Sequence, residues 1–409
     1  MNIRKYNPVL DREAVHRIWK ESGWLEDGKE ETMDIFIRGC ETWVGEIAGA
    51  VEFLVMTAPG NMRYLQVDIP FSGVMSVNTG RVSRQLGLAR KFTAQAIARA
   101  AEKGAWISGL GIFEQGFYNQ LGYGSGGYEH VIYFDPADLK IQKKCRIPRR
   151  LTEKDFAEIH YSRLQRLKNH GSVSFFNNQI SLAEIKWGKK GFGIGYYDDT
   201  GSEITHHVWM EEQGGEHGPY FVNWMSYRNY EQFLELMSYL KSLEDQVRLI
   251  GIIEPAQIQL NDLLQYPFRY RIITGKSRFE NRIKASSWWQ MRICDLEKVI
   301  HNTSLPGKRL QFNLILTDPI SHYLGNTGKW CGIGGNYLLS LGRKSFLKRA
   351  TSADLPTLHA SVNAFTRMWL GVRPASGLAV TDDLKGPADL LAELDNLFCI
   401  PEPHQDWEY

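Results

Sequence analysis

The stretch from Phe71 to Gly104 carries the residue types and spacing best suited to chemistry. Arg84, Gly87 and Ala89 stand in the order Arg-x-x-Gly-x-Ala. Before them an apolar run, Val74-Met75-Ser76-Val77-Asn78-Thr79, reads as a buried strand and gives way to a polar turn, Gly80-Arg81-Val82-Ser83. After them Leu88, Phe92, Ala96 and Ala100 recur at steps of four, a helical pattern that Gly104 closes. A strand, a tight turn and a helix start together suit a phosphate. The first N–H groups of a helix have no partner inside it, and the macrodipole adds partial positive charge there. Gly87 and the small Ala89 permit close backbone approach to an anion, and Arg84 supplies a mobile cation. Without such a ligand the same residues make an ordinary strand-to-helix connection.

The elements that must position this turn follow from patterning. Ile3–Tyr6 forms an opening strand, and Asp11 caps a helix whose apolar face is Val15, Ile18 and Trp19. A second helix spans Glu30–Arg38. Thr42–Ile47 and Ala50–Met56 read as strands joined by a turn at Ala48-Gly49, and Ala105–Ile112 as a further strand. Gly122–Gly127 is expected to be a flexible turn. The basic cluster Lys143, Lys144, Arg146, Arg149 and Arg150 suggests an exposed linker. Beyond it Thr152 caps a helix over Glu153–Leu167. Gly193–Tyr197 and Ile204–Glu211 form a hairpin, followed by strand Phe221–Tyr227, helix Tyr230–Leu243 and strand Arg248–Ile253. His206 and His207, adjacent in a strand, face opposite sides and cannot share a metal. Further on, Trp288–Ile293 reads as a strand running into a helix, Leu310–Leu316 alternates as a half-buried strand, and Leu338–Leu341 and Phe346–Arg349 are shorter strands. Helices are expected at Ala353–Phe365 and Pro387–Leu397, and Cys331–Gly335 as a turn.

Composition narrows the function classes. The 409 residues exceed one typical core, so two or three domains are expected. A net charge of +2 gives no reason to expect nucleic acid or a charged membrane surface as partner. The opening MNIRKYNPVLDREAV lacks an apolar signal core, and no run approaches a membrane span. Cys40, Cys145, Cys294, Cys331 and Cys399 are odd in number and scattered, which fits reduced thiols in a cytoplasm and argues against zinc or another metal.

The Arg-x-x-Gly-x-Ala turn resembles that of the GNAT acetyltransferase superfamily, where it cradles the pyrophosphate of acetyl-CoA. Arg81 departs from the family, which often has proline there. A second signature, Phe117-Tyr118-Asn119-Gln120-Leu121-Gly122-Tyr123, resembles the family's F-Y-x-x-x-G-Y/F segment. By that resemblance Tyr118 is the general acid that protonates the leaving sulfur; the alternative is a set of core aromatics with one hydroxyl satisfied by backbone. The run Trp288–Ile300 and the closing Leu394-Asp395-Asn396-Leu397-Phe398 resemble the sterol-carrier-like domain of Eis-type (enhanced intracellular survival) acetyltransferases. The implied fold is α+β: a catalytic GNAT domain over residues 1–146, a GNAT-like domain without cofactor over 147–286, and a sterol-carrier-like domain over 287–409.

The resemblance also assigns roles. Backbone groups at Val77 and Thr79 would hold the pantetheine and thioester, and Arg84, Gln85, Gly87, Leu88 and Ala89 the pyrophosphate. The free carboxylate of Tyr409 would enter the first domain as base, and a terminal carboxylate stays ionised near neutrality. Glu408 matches one acidic position of the amine pocket, and Trp24, Glu26 and Asp27 are further candidates, although a solvated loop with one packed tryptophan has the same composition. Ser76 is small where a relative carries an aromatic. The implied activity is N-acetyl transfer from acetyl-CoA to a cationic amine by a cytoplasmic homo-oligomer, trimer or hexamer. A different acyl donor, fatty acyl or aminoacyl, and a non-catalytic lipid- or CoA-binding carrier are the alternatives.

Overall fold

Strands β1 (Asn2–Lys5), β2 (Glu41–Ile47), β3 (Ala50–Tyr64) and β4 (Val67–Thr79) build an antiparallel meander. The turn from β2 to β3 forms at Ala48-Gly49 as expected, with φ of +50° and +84°, the geometry a two-residue hairpin needs to match strand twist. In the computed structural model, which describes residues 2–267, 275–325 and 328–409, β3 is buried on both faces. Leu54 and Met56 pack with Val15, Ile18 and Trp19 of helix α1 (Arg12–Glu21). Phe53 and Val55, one step out of phase, pack with Leu88, Phe92 and Ala96 of a helix at Leu88–Glu102. Period-two alternation thus sorts one strand's side chains between helices on opposite sides of the sheet. Asp11 does not cap α1. Its buried carboxylate turns back to Arg4 at 2.7 and 2.8 Å and accepts the Asn7 N–H, because a guanidinium on β1 offers a stronger, charged partner.

Helix α2 (Glu30–Gly39) precedes β2, and Leu88–Glu102 is α3. Beyond it come β5 (Ile107–Gly111), α4 (Gln115–Asn119) and β6 (Gly124–Ser125). Among the described residues the first sheet holds eight strands, and two arrive from far along the chain. Trp289–Ile293 inserts between β5 and β6, antiparallel to both. Val173–Phe175 pairs with the far half of β3 at Gly60–Met62. The Gly122–Gly127 segment is therefore no flexible turn: Gly124 and Ser125 pair with Met291 and Gln290, and Gly126 lies so close to Trp289 that a Cβ would meet its ring at 2.2 Å.

Among the described residues the second sheet has seven strands, with Glu129–Phe134 second from one edge, between Arg282–Ser286 and Ile250–Ile253. The hairpin Gly191–Tyr197 with Ile204–Glu212, strand Tyr220–Ser226 and helix Tyr230–Lys241 form as their patterns require. The basic cluster is only partly a linker, since Arg149–Leu151 is a strand on Gly193–Gly195, and Lys143 and Arg146 pair with Glu231 and Glu235. Thr152 closes a capping box with Asp155 ahead of helix Phe156–Leu164. His206 faces Glu235 at 3.2 Å, while His207 faces Ser162 and Trp224 on the other side.

The third sheet orders Phe346–Lys348, Gly335–Leu341, Leu310–Thr317, Thr357–Ser361 and Leu384–Lys385. The helix expected over Ala353–Phe365 is half strand. Pro356 cannot sit inside a helix, Thr357–Ser361 pairs in parallel with Asn313–Thr317, and the Ser361 hydroxyl then caps helix Val362–Trp369. Helix Ala388–Leu397 forms as expected.

The first and third sheets share one apolar core, running from Val15 and Met56 through Trp289 and Met291 to Phe312, Leu314 and Trp369. At their boundary Arg292 and Asp318 make a 2.7 Å ion pair, both side chains wholly buried. Arg292 also donates to the Leu121 carbonyl, and Asp318 accepts the Ile320 and Ile333 N–H groups. Removing one member of such a pair strands a charge in low dielectric. Arg292→Met should cost about 3–5 kcal/mol of stability, read from urea denaturation.

Candidate active site

Strand β4 pairs with β5 in parallel only from Phe71 to Val74. At Met75 the register with β3 shifts by one residue, a bulge that bends β4 away from its neighbour. From Ser76 to Thr79, β4 keeps β3 on one side and has no strand on the other among the described residues. The Gly80 N–H bonds to Glu52 O, so backbone alternation turns the amides of Thr79 and Val77 toward the open edge. The Thr79 N–H is met there by the Asn78 side-chain oxygen at 3.0 Å. Ser76 is buried, and its hydroxyl accepts the Trp19 indole N–H at 3.2 Å.

The turn below this edge is open. Gln85 and Gly87 both take positive φ, +64° and +72°, and no atom lies within 4 Å of where a Gly87 Cβ would stand. Gly87 is the N-cap of α3 and supplies no side-chain bond, leaving the first amides of a 15-residue helix to solvent. Arg84 and Gln85 are exposed, Arg84 makes no ion pair among the described residues, and Leu88 and Ala89 turn inward to the core shared with Phe92. The helix start that the pattern predicts is present, with an N-cap that supplies no side-chain bond and open space over Gly87. The start of helix Tyr230–Lys241, which packs by the second sheet, differs: the Asn229 side chain accepts the Gln232 N–H, so that end is capped by its own residue.

Tyr118 sits on α4, whose first turn the Glu114 carboxylate caps through the amides of Gly116 and Phe117. Its ring is nearly buried, edge-on to Phe117 and Tyr123, and its hydroxyl has no hydrogen-bond partner among the described residues. Burial, helped by the Glu114 charge, pushes its pKa up to about 12. Tyr123 by contrast is fully buried and bonded to Ser108 at 2.7 Å. The segment is braced from helix Val362–Trp369, since Asn363 donates to the carbonyls of Asn119 and Tyr123 at 2.9 and 3.1 Å.

The chain end returns to the first sheet. The Tyr409 ring packs edge-on to Phe71, Phe175 and Trp288, and its hydroxyl accepts from Gln405 at 2.9 Å. It lies across the seam of β4 and β5 where three glycines make room. A Cβ on Gly109 would meet the tyrosine oxygen at 2.4 Å, one on Gly73 the ring at 3.2 Å, and one on Gly111 a terminal carboxylate oxygen at 2.9 Å. No hydrogen bond or ion pair engages the terminal carboxylate among the described residues. The neighbouring Glu408 lines a small cavity of about 80 Å³ with Asp406, Gln405, Trp288 and Tyr227. Its side chain reaches solvent, yet the surrounding walls first, and Glu184 and Glu129 second, raise its carboxyl above the ordinary range.

The remaining sequence candidates lie further out. Trp24 contacts Phe113, just past β5, edge-on at 6.5 Å. Glu26 and Asp27 are surface groups paired with Lys189 and Lys20. Sequence reasoning missed Glu129, a buried carboxylate that accepts Trp288 and Trp289 indoles and the Gln405 amide at 2.7, 3.0 and 3.0 Å. It also missed Gly73, Gly109 and Gly111, although glycines inside strands are themselves a sign that something approaches closely. Among the described residues no group of three or more His, Cys, Asp or Glu is arranged to hold a metal, and no helix is long and apolar enough to cross a membrane.

No protein-family model and no curated protein sequence matches the chain. Solved structures do match it. A probable N-acyltransferase from Enterococcus faecalis V583 gives a TM-score of 0.79 at 17% identity, covering 100% of this chain and 99% of that one. A GCN5-related N-acetyltransferase from Anabaena variabilis ATCC 29413 gives 0.79 at 14% identity with both chains fully covered. Eis1 from Mycobacterium abscessus gives 0.74 at 12% identity, again over 100% of both. The chain therefore has the α+β fold of these GNAT proteins along its whole length.

The glycine seats give a direct test of the packing at the chain end. Gly109→Ala forces a Cβ onto the Tyr409 hydroxyl and the Phe71 ring, and should cost about 1–3 kcal/mol in chemical denaturation.

Proposed function

We propose that the chain is an Eis-like N-acetyltransferase that moves an acetyl group from acetyl-CoA to a primary amine of a cationic small molecule or lysine-like substrate by direct attack. The observation that carries this is the unpaired terminal carboxylate of Tyr409, seated beside the opening between β4 and β5. An ordinary chain end frays in solvent. This one is packed among three aromatic rings and faces a cleft edged by free backbone.

The residues present suit acetyl-CoA. The uncapped start of α3, the open space over Gly87 and the exposed Arg84 offer its diphosphate amides, room and charge, with Gln85, Leu88 and Ala89 completing the loop. The outward amides of Val77 and Thr79 offer donors to the pantetheine and the thioester carbonyl, the second through exchange with the Asn78 side chain. The co-substrate brings an activated acyl thioester, and the chain supplies position and proton transfer. As the amine nitrogen bonds to the acyl carbon, the Tyr409 carboxylate takes its proton. As the carbon–sulfur bond breaks, Tyr118 gives its proton to the sulfur. A phenol held near 12 keeps that proton throughout the physiological range. Holding both reactants in line supplies much of the acceleration.

Glu408, with its raised carboxyl, and the small Ser76 shape the amine side, with Trp24 at the entry and Glu26 and Asp27 on the rim. In this reading residues 1–146, 147–286 and 287–409 form a catalytic, a cofactor-free and a sterol-carrier-like unit of a cytoplasmic trimer or hexamer. The side-chain cap at Asn229 is what supports a second unit without cofactor.

Tyr118→Phe should retain acetyl-CoA binding by calorimetry and lose turnover by about 10²–10⁴ in a thiol-release assay. Undiminished turnover removes Tyr118 from the mechanism. Extending the chain by one glycine after Tyr409 displaces the carboxylate and should lower turnover by a similar factor, about 10² or more. A fully active extended chain refutes the base assignment.

A further inference from the structure

The terminal residues are held by anchors that the chemistry itself does not call for. Asp406 meets the Arg166 guanidinium in a two-point fork, at 2.6 Å to Nη2 and 2.7 Å to Nε. The same carboxylate accepts the Ser172 hydroxyl at 3.0 Å and the Val173 N–H at 3.3 Å. Arg166 spends its remaining donors on the carbonyls of Arg163 and Val173 and on the Ser174 hydroxyl. Next along the chain, Trp407 is fully buried beneath the Arg163 guanidinium, 3.5 Å from the ring centroid, and its indole donates to Glu184 at 2.8 Å. Upstream, the His404 amide bonds to the His170 carbonyl, and Gly171 at φ +91° lets the two backbones touch.

We infer that Asp406 and Arg166 are positioning residues for the terminal carboxylate, acting as the fixed point from which the last three residues reach the β4–β5 seam. This rests on the assignment of the Tyr409 carboxylate as base. Three residues span at most about 10 Å of extended chain, so slack at Asp406 passes directly to the carboxylate. The fork is itself tied to the first sheet, because Val173 starts the strand that pairs with β3 at Gly60–Met62. Charge-assisted two-point pairing sets direction as well as distance. Misplacing a reacting group by about 1 Å can cost about 10² in rate. An arginine of the second unit thereby fixes a base that works on the first.

The experiment combines Asp406→Asn with the one-glycine extension. Asp406→Asn keeps the side chain's size but loses the charge, and Arg166→Lys keeps the charge but loses the fork. Each should lower kcat by about 10–10² with KM for acetyl-CoA unchanged. Carboxypeptidase should remove Tyr409 from the folded Asp406→Asn chain faster than from the parent. In the extended chain, where the carboxylate is already displaced, Asp406→Asn should cost little more, because two changes that act through one group do not add. A fully additive loss overturns the inference and leaves the base assignment standing, as does unchanged carboxypeptidase trimming. Full turnover by the extended chain overturns the base assignment and this inference together.

Discussion

Most of the site depends on how few residues β4 and β5 share. Four register pairs hold them together, and then a bulge at Met75 turns β4 aside. Had the ladder continued to Thr79, the outward amides would be spent on a neighbouring strand and no cleft would exist. Parting the strands leaves donors on one lip and the glycines of β5 on the other. The helix that follows β4 starts with a glycine in the left-handed region that supplies no side-chain cap to its first amides.

The chain end fills what the strands leave. Gly73, Gly109 and Gly111 are small where any side chain would collide with Tyr409. Phe71, Phe175 and Trp288 pack edge-on around its ring, while no hydrogen bond or ion pair engages the carboxylate among the described residues. Two helix starts in one chain make the contrast plain. Asn229 closes its own helix with a side-chain oxygen, and Gly87 leaves the equivalent donors unspent.

Local rules made much of the fold legible. The hairpins, the helix from Leu88 and its closing glycine follow from period and turn chemistry alone, as does the opposition of His206 and His207. The errors lie where distant segments decide. Gly122–Gly127 is rich in glycine and reads as mobile, yet it is pinned by a strand 160 residues away through Trp289. Thr357–Ser361 has helix-compatible neighbours but is claimed by a parallel partner. Asp11 meets the pattern of a cap and is captured by Arg4 instead. In the candidate site, the Arg84–Ala89 turn and the aromatic segment were visible as spacing. Glu129 and the Arg166–Asp406 fork were not, since nothing in the order of residues brings positions 240 apart into contact.

The strand Trp289–Ile293 sits inside the first sheet, between β5 and β6, rather than at its border. A fragment ending before it would leave β5 and β6 with bare hydrogen-bonding flanks and the apolar faces of Trp289 and Met291 unreplaced. Such flanks recruit other chains and aggregate. The first sheet is therefore incomplete in such a fragment. During synthesis that sheet must wait, incomplete, until Trp289–Ile293 has left the ribosome.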